Sequence, residues 1–313
     1  MAAEILTALQ RRGGSSRRAL AAQGLLEAVT WSFMPSPLAA HFAAPDESLR
    51  LVNPISSDLD MMRPSTLGNL MQAAKRNADH GYPDVGLFEV GPVYHGAREQ
   101  DQKLAATTLR AGHTPRHWAA PVRAVDVYDA KADAIAALAA CGVKTDALQI
   151  TADAPDYYHP GRSGCLRQGQ NILASFGEMH PRLLAAIDTT QPMAGCEIWL
   201  GNIPSPKASA TARPALHLAA LQPVQRDFAF VVDAEISADK IGKCIRQVDK
   251  NMIVDVNVFD VYAGKNLGEG KKSLALSVTF QPREQSMTDE QLEQLSAAIV
   301  AAVAKGAGGT LRS

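Results

Sequence analysis

The sequence has few cysteines, and they show no pairing pattern. Cys141, Cys165, Cys196 and Cys244 are far apart, and no C-x-x-C pair occurs. A disulfide framework or a zinc site is therefore not expected, and a reducing, cytoplasmic location fits best. The chain also has no apolar run of membrane-spanning length, and residues 1–18 contain no apolar segment typical of a secretory signal.

The chain also has few aromatic residues and almost no net charge. Aromatics make up 5% of the 313 residues, and the formal net charge is -1. Such a chain is not an electrostatic nucleic-acid binder as a whole, so any such contact must come from a local patch or from partner subunits. Hydrophobic residues, in contrast, make up 46% of the sequence, which is typical of a folded protein long enough for two domains.

One segment has the composition of a linker. Residues 201–214 are rich in Pro, Ser and Ala and have no apolar period, so we place the domain boundary there. The sequence thus predicts a first domain at 1–201, a linker at 202–215 and a second domain at 216–313.

The first predicted domain mixes strands and helices irregularly. Apolar spacing and β-branched or aromatic runs predict, in order, helices 2–10 and 17–23, strands 27–33 and 49–52, a helix 66–77, a strand 85–90 that stops at Gly91, and a hairpin 164–176. This mixture indicates an α+β fold with a mainly antiparallel sheet flanked by helices, not a parallel repeat.

The second predicted domain has a sharper pattern. The predicted elements are a strand 227–232, a helix from Ser237 to Asp249, strands 253–261 and 274–280, a helix opened by a capping box at Thr288, and a short strand 310–312. In the predicted strand 253–261, Val254, Val256 and Val258 alternate with polar residues, which is typical of a half-buried strand. The order βαββαβ predicts a ferredoxin-like sandwich of four antiparallel strands and two helices.

Three motifs of the second domain make a specific set. They are QRDFAFVVD at 225–233, FDVYAGKNLGEGKKSLAL at 259–276 and GGTLR at 308–312. Together they resemble the ferredoxin-fold anticodon-binding domain of bacterial phenylalanyl-tRNA synthetase beta subunits. One stretch, 281–288, departs from that family, which usually has an Arg-Thr-Leu-Thr-like run there, and Arg283 is the candidate replacement.

Further motifs extend this resemblance over nearly the whole chain. In the first domain they are LLEAVTWSF at 25–33, LVNPIS at 51–56, MRPSTL at 62–67, LFEVG at 87–91, HPGRS at 159–163 and GEMHP at 177–181. They are similar to the class II synthetase-like core of the same subunit. The family's beta subunit normally begins with further domains, including an OB-like domain and an editing domain. By that comparison, the chain looks like a C-terminal piece or a truncated form.

The residues that class II catalysis requires are missing. Such enzymes place one arginine on the α-phosphate of ATP and another, in a Gly-rich strand, near the γ-phosphate. Residues 82–85, which precede Phe88, contain no arginine, and no Gly-x-Gly-x-Gly-x-x-Arg run follows. We therefore expect a non-catalytic core with no catalytic residue, no metal ligand and no cofactor of its own. The resemblance implies that the family's alpha subunit holds the active site and uses ATP and Mg²⁺.

The resemblance also supplies candidate site residues. For RNA binding, the family implies cations that contact phosphates and aromatic rings that stack on an unpaired anticodon base. The candidates are Arg226, Phe228, Tyr262, Lys265, Lys271, Lys272 and Arg312. Charge alone does not predict this role, because 12 Lys or Arg and 12 Asp or Glu occur from Arg213 onward, and Phe228 is also a candidate core residue. Candidates for the subunit interface are Asn53, Pro54, Arg63, Arg76 and Asn77. Arg63 and Arg76 either bridge subunits or pair internally.

Four other features receive structural interpretations. His113 and His117 have the spacing of metal ligands on a helix, but a proline between them favours a surface loop. Residues 161–164 lack the length and ending of a phosphate-binding loop, so a turn is expected. We assign His180 to a strand-to-helix turn and Glu89 to a structural hydrogen bond.

The leading functional hypothesis is a part of the beta subunit of phenylalanine–tRNA ligase. The chain would dock on the catalytic alpha subunit, in an assembly of two alpha and two beta subunits, and would contact the anticodon arm of tRNA(Phe). The isolated chain would be inactive. A free-standing tRNA-binding module is the alternative, and an autonomous carboxylate-activating enzyme is disfavoured by the missing arginines.

Overall fold

The computed structural model describes residues 5–205, 218–283 and 285–312, and most of the predicted linker lies outside them. The chain forms two compact units, Met1–Thr211 and Ala212–Ser313, named unit 1 and unit 2 here. Within the described ranges, no helix combines the length and the apolar character that crossing a bilayer demands.

Unit 1 is built on a seven-stranded sheet. Its helices are α1 (Ala8–Ala22), α2 (Ser36–Ala39), α3 (Leu67–Asp79), α4 (Val127–Ala140) and α5 (Pro181–Ala186). Its strands are β1 (Leu26–Glu27), β2 (Phe33–Met34), β3 (Met61–Met62), β4 (Val85–Tyr94), β5 (Gln102–Ala111), β6 (Gln149–Thr151), β7 (Tyr158–Gln168), β8 (Asn171–Met179) and β9 (Met193–Trp199). The sheet order is β1-β4-β5-β9-β8-β7-β6, with β2 and β3 paired separately. All sheet neighbours are antiparallel except β1 and β4, so the predicted mainly antiparallel fold is confirmed.

Different helices cover the two faces of this sheet. α1 and α4 pack on one face, where Leu20, Phe88 and Ile198 belong to one buried cluster. α3 packs on the other face, where Leu67 and Leu109 belong to a second cluster. Because successive strand residues point to opposite faces, each long strand contributes to both clusters.

Two elements of unit 1 follow their predicted signals closely. α3 spans nearly the predicted helix and buries the apolar stripe that includes Leu70 and Met71. β7 and β8 form the predicted hairpin, and Gly169 in its turn has a φ of +62°. That left-handed conformation favours glycine, which explains the strong turn signal.

A single helix replaces the two short helices predicted near the start. Its first turn is fixed by a capping box, in which Gln10 N donates to the Thr7 hydroxyl at 3.2 Å and Thr7 N donates to the Gln10 side chain at 2.8 Å. Gly13 does not end the helix because it is buried, and a Cβ there would lie 3.7 Å from Val90 Cγ1. The predicted break between residues 10 and 17 is therefore wrong, because the helix continues through both Gly13 and Gly14.

The strands predicted at 27–33 and 49–52 are also wrong. Only β1 and β2, at the two ends of the first range, are strands, and Arg50 makes a single bridge to Met61. β4, in contrast, continues past Gly91 to Tyr94. Tyr94 N donates to Arg63 O rather than to β5, so the N–H groups of this parity point away from β5. Pro92 has the same parity, and its missing N–H therefore costs no sheet hydrogen bond.

Unit 2 is a four-stranded sheet with two helices. Its elements are β10 (Val224–Asp233), α6 (Ala238–Arg246), β11 (Ile253–Tyr262), β12 (Lys271–Phe280), α7 (Asp289–Ala307) and β13 (Thr310–Leu311). The strand order is β11-β12-β10-β13, and all pairs are antiparallel. The Thr288 capping box starts α7, and Gly308, with a φ of +64°, ends it. The predicted ferredoxin-like fold is confirmed.

β11 departs from the predicted alternation. Its register against β12 shifts between Ile253 and Asp255 and again between Val258 and Asp260. As a result Val256 is buried, whereas Val254 is 57% exposed. An extra bulge residue changes the facing of every residue after it, which a simple period cannot anticipate. α6 also ends earlier than predicted, at Arg246 rather than at 249.

Candidate nucleic-acid interface

The sheet of unit 2 has one face that α6 and α7 do not cover, named the open face here. Phe230 of β10 and Leu276 of β12 share a buried cluster with Ile241 of α6 and Ile299 of α7, so these side chains point toward the helices. Alternate residues such as Ala229 point to the other side. Four-stranded sheets of this kind can stack single-stranded bases on aromatic side chains of an uncovered face.

Small side chains line the centre of the open face. Successive cross-strand partners form one row across all four strands, consisting of Tyr262, Ser273, Val231 and Thr310. In the next row Ala275 of β12 pairs with Ala229 of β10. The two central strands therefore form a low floor between the larger side chains at the edges.

Tyr262 and Arg312 approach each other over this floor. They belong to the two edge strands or their immediate continuation, and Arg312 N is fixed to Ala229 O at 2.7 Å. Three strand spacings separate the edges, about 14 Å. Nevertheless the Arg312 guanidinium carbon lies 5.3 Å from the centroid of the Tyr262 ring. Both side chains must therefore extend over the central strands, which puts a cation against an aromatic ring on the open face.

Charge is unevenly distributed along the open face. Lys271, two residues from Ser273 on the same side of β12, donates to Asp233 at 2.9 Å. Toward the opposite end of the strands, Asp227 and Asp255 add carboxylates without a described ion pair. A further carboxylate, that of Asp260 on β11, lies opposite Ala275 in the row beside Ser273, so negative charge is not confined to one end of the open face.

Apart from Phe228, the candidate RNA-binding residues fall into three groups. Tyr262, Lys271 and Arg312 lie on the open face. Arg226 and Lys272 have the parity of buried residues, because they pair with Val278 and Val232. They therefore lie toward the helix-covered side, with Arg226 exposed at the strand end and Lys272 half-buried. Lys265 lies in a 3₁₀ helix, and its side chain is outside the described part of the structure.

Phe228 requires a correction. Its side chain is 7% exposed and stacks on Phe230, with ring centroids 6.0 Å apart, inside the core of unit 2. A ring in that position is not available to a base, so the core alternative holds. Sequence reasoning also missed the floor residues Ala229 and Ala275, whose signal was that they alternate with buried residues while remaining small.

A polar row crosses the sheet of unit 1 beneath α3. Cross-strand pairing aligns Glu89, Thr107, Glu197, Ser175 and Cys165 from β4 to β7. All five are 5% exposed or less. This face is closed by packing, as shown by Leu67 Cδ2 of α3, which would lie 3.1 Å from a Cβ on Gly195. The sheet is therefore covered by α3 at this point.

The hydrogen bonds of this row are internal. Glu197 accepts from Ser65 Oγ at 2.7 Å and from the Tyr157 hydroxyl at 2.6 Å. Burial raises the pKa of Glu197 and raises the pKa of Tyr157 well above its usual range. Arg63, which lies beside the row, is itself buried in an ion pair with Glu89.

Arg63 requires a second correction, because it is not placed for contact with another subunit. Its side chain is 1% exposed, and Nη1 lies 2.9 Å from Glu89 Oε1. Nη1 also donates to Thr30 Oγ1, while Nε donates to Pro92 O, both at 2.9 Å. Thr30 in turn donates to Glu89 Oε2 through N and Oγ1. The alternative of internal pairing is therefore correct, and so is the structural hydrogen bond assigned to Glu89.

The other interface candidates occupy more accessible positions. Asn53 is exposed and Pro54 half-buried in the loop that follows Arg50. In α3, Arg76 is exposed, whereas Asn77 is half-buried and donates to Ala73 O at 2.8 Å. Their role at an interface stays a prediction.

The remaining motifs have structural roles. His113 and His117 lie in a loop, and among the described residues no group of three or more His, Cys, Asp or Glu could hold a metal ion. His180 links β8 to α5 and accepts from Arg182 N at 3.0 Å, which confirms the predicted strand-to-helix turn. Residues 161–164 belong to β7, next to a register shift, rather than to a separate turn.

Comparisons with known proteins agree with this architecture. Residues 1–200 match the family described as phenylalanyl tRNA synthetase beta chain CLM domain, and residues 219–312 match the ferredoxin-fold anticodon binding domain. The phenylalanine–tRNA ligase beta subunit of Rhodospirillum rubrum is 53% identical over 99% of this chain, and that of Paramagnetospirillum magneticum is 52% identical over 98%. The chain spans 39% of the length of each of these relatives.

A solved pyrrolysyl tRNA synthetase from Desulfitobacterium hafniense is a weaker match. It covers 61% of this chain and 66% of its own, with 18% identity and a TM-score of 0.47, a similarity that supports no functional statement. The two family matches, in contrast, lie in the two compact units and together cover nearly the whole chain. The chain therefore belongs to the phenylalanyl-tRNA synthetase beta chain family.

Proposed function

We propose that the chain is the synthetase-like core and anticodon-binding part of a phenylalanine–tRNA ligase beta subunit. Unit 2 binds the anticodon arm of tRNA(Phe) on its open face. Unit 1 docks on the catalytic alpha subunit, in an assembly of two alpha and two beta subunits. The observation that carries the proposal is the placement of Tyr262 and Arg312 together over a floor of small residues.

The chemistry is assigned to the alpha subunit. The whole enzyme charges tRNA(Phe) with phenylalanine at the expense of ATP, with Mg²⁺ as cofactor. This division is supported by the polar row of unit 1, which is buried and internally hydrogen-bonded. We also place the chain in the cytoplasm, in keeping with its four free cysteines.

Replacing Tyr262 with alanine in the assembled enzyme should separate RNA binding from chemistry. Loss of one base–aromatic stack raises the KM for tRNA(Phe) about 5- to 150-fold. Phenylalanine-dependent ATP–pyrophosphate exchange, which needs no tRNA, stays unchanged. Both activities are measured with the full-length beta subunit and its alpha partner.

Tyr128→Ala is a matched control, since Tyr128 is 71% exposed on α4 of unit 1, and it should alter neither activity. An unchanged KM for tRNA in Tyr262→Ala would argue against the proposed open-face site. If the chain fails to associate with the alpha subunit while still binding tRNA, the free-standing tRNA-binding module becomes the better hypothesis.

A further inference from the structure

A cavity of unit 1, named the α2 cavity here, lies between the segment that follows α2, the residues that precede β7 and the start of α5. It is lined by residues 40–44, 155–157, 180, 182 and 183, which all lie outside the buried polar row. Its volume is about 410 Å³, and sites for small molecules usually have volumes of about 300–1,000 Å³. The lining combines an aromatic wall, three alanines and a rim of charged residues and histidines, so it has the composition of a ligand site.

The aromatic wall is held in place from behind. The Tyr157 hydroxyl donates to Glu197 at 2.6 Å, and the Tyr157 ring centroid lies 5.1 Å from that of Phe42. Phe42 packs against α3, where a Cβ on Gly68 would lie 2.9 Å from Phe42 Cε2. Both rings are half-buried, so each keeps part of its surface open. A planar ring can therefore pack on this wall, and the alanines leave room for it.

The rim of the α2 cavity carries one side chain of each charge and two histidines. Arg182 and Asp156 are exposed, and no ion pair within the described ranges joins either of them to another residue. His41 is also exposed, whereas His180 is half-buried. When both histidines are neutral, one positive charge balances one negative charge. A ligand that carries both charges therefore complements this rim better than a simple anion or cation does.

His180 presents a defined hydrogen-bond donor. Its Nδ1 accepts from Arg182 N at 3.0 Å, so the neutral ring carries its proton on Nε2. Burial and the positive charges of Arg182 and His159 lower the pKa of His180, and Asp156 opposes them. The neutral ring therefore prevails at pH 7, where Nε2–H can donate to an acceptor without adding charge to the rim.

We propose that the α2 cavity binds a free aromatic amino acid as its zwitterion. The ring of the ligand packs on Tyr157 and Phe42. Its carboxylate binds Arg182 and His180, and its ammonium group binds Asp156. Each part of the ligand then meets a partner of matching chemistry, and the cavity gains no net charge. This site is independent of RNA binding by unit 2 and of the chemistry assigned to the alpha subunit, so its occupancy follows the concentration of the free amino acid.

Calorimetric titration of the full chain with L-phenylalanine tests the proposal without tRNA or the alpha subunit. We expect one site per chain with a Kd of about 1 mM or lower, which is an ordinary affinity for so small a ligand. Three truncated ligands dissect it: 3-phenylpropionate lacks the ammonium group, L-phenylalaninamide lacks the carboxylate, and L-alanine lacks the ring. The first two should bind about 10- to 150-fold more weakly, and L-alanine should not bind measurably.

Two variants assign the charged contacts. Arg182→Met should weaken binding of L-phenylalanine about 10- to 150-fold and leave that of L-phenylalaninamide unchanged, because the amide has no carboxylate. Asp156→Asn should weaken L-phenylalanine similarly and leave 3-phenylpropionate unchanged. Both side chains are exposed, so neither substitution should disturb the fold. Arg116→Met is the matched control, since Arg116 is exposed in the loop after β5, away from the α2 cavity lining.

His180 supplies a second readout. The charged or titratable groups near it are Arg182, Asp156, His159 and His41. Because a bound carboxylate favours the protonated ring, L-phenylalanine should raise the pKa of His180 and bind more tightly as the pH falls from about 8 to about 6. L-phenylalaninamide should not raise it. An NMR titration of the ring signal measures this pKa, and His180→Asn, which retains a residue suited to start α5, identifies the signal.

Each outcome decides for or against the α2 cavity. If Arg182→Met and Asp156→Asn leave the affinity for L-phenylalanine unchanged, the ligand binds elsewhere and the proposal is wrong. Equal affinities for 3-phenylpropionate and L-phenylalanine would also contradict it, because the cavity would then take an aromatic anion rather than an amino acid. Failure of L-phenylalanine to bind would overturn the proposal outright. None of these results bears on the proposed function, since RNA and the alpha subunit are absent from the experiment.

Discussion

Replacing Arg63 with methionine should lower the free energy of unfolding of unit 1 by about 3–5 kcal/mol. The substitution removes one partner of a buried ion pair and leaves the Glu89 carboxylate uncompensated beneath α3. Arg63 and Glu89 are 1% and 6% exposed at their side chains, so water cannot replace the lost contact.

The position of Arg63 adds to this loss. Its guanidinium also binds Thr30 Oγ1 and Pro92 O, and so ties the segment after β1 to the edge of β4. Gly91 leaves the space for it, because a Cβ there would lie 2.5 Å from Arg63 Nη2. We therefore expect residues 28–32 to become mobile in the variant before the rest of unit 1 unfolds.

Urea unfolding followed by tryptophan fluorescence measures this loss in unit 1 alone. All three tryptophans, Trp31, Trp118 and Trp199, lie in that unit. Arg76→Met, on the exposed side of α3, is the matched control and should stay within about 0.5 kcal/mol of the parent chain. A loss below 1 kcal/mol in Arg63→Met would show that the buried pair does not hold the edge of the sheet.

Phe228→Ala should destabilise unit 2 by about 3–5 kcal/mol without weakening the RNA site of the folded molecules. Phe228 stacks on Phe230 in the core, so its loss leaves a cavity between β10 and the helices. Tyr262→Ala should show the reverse, a small change in stability and a large loss of RNA affinity. Comparison of the two variants therefore distinguishes the structural role of Phe228 in the core from the RNA-binding role of Tyr262 on the surface.

The ¹⁹F signal of fluorinated Tyr262 reports unfolding of unit 2, because Tyr262 is its only tyrosine. Phe259→Ala is the control, since Phe259 is 56% exposed on β11 and its removal should cost about 1 kcal/mol or less. A loss of RNA affinity in Phe228→Ala at temperatures where unit 2 remains folded would restore Phe228 as a binding residue.

Local signals in the sequence predicted much of the fold. The stripe of Leu67, Leu70 and Met71 is enough to locate α3, and the Thr288 capping box with the left-handed Gly308 sets the ends of α7. These features depend on residues that are close in the sequence. The spacing of apolar residues or the presence of capping residues is therefore enough to predict them.

Features that depend on distant residues could not be predicted in this way. Residues 28–32 look like a strand, but their conformation is set by the Arg63–Glu89 pair, whose members lie 26 positions apart and meet only in the folded chain. The bulges of β11 similarly depend on β12. The register of a sheet is a property of two strands, and one strand's pattern does not contain it.

The candidate site likewise combines features that depend on local sequence with features that depend on distant residues. The family motifs contained Tyr262 and Arg312, but the approach of these two side chains required the strand order β11-β12-β10-β13. The misplacement of Phe228, in contrast, was avoidable, because it alternates in step with Phe230 and Val232. Strand parity places the side chains of all three residues on the side of the sheet that the helices cover.

Ultraviolet crosslinking of tRNA(Phe) to the assembled synthetase, followed by mass spectrometry of the attached peptides, tests the open-face site most directly. We predict attachment of an anticodon-loop nucleotide to a peptide that contains Tyr262 or Arg312. Attachment of the anticodon loop only to peptides of unit 1, with none on the open face of unit 2, would contradict the proposal.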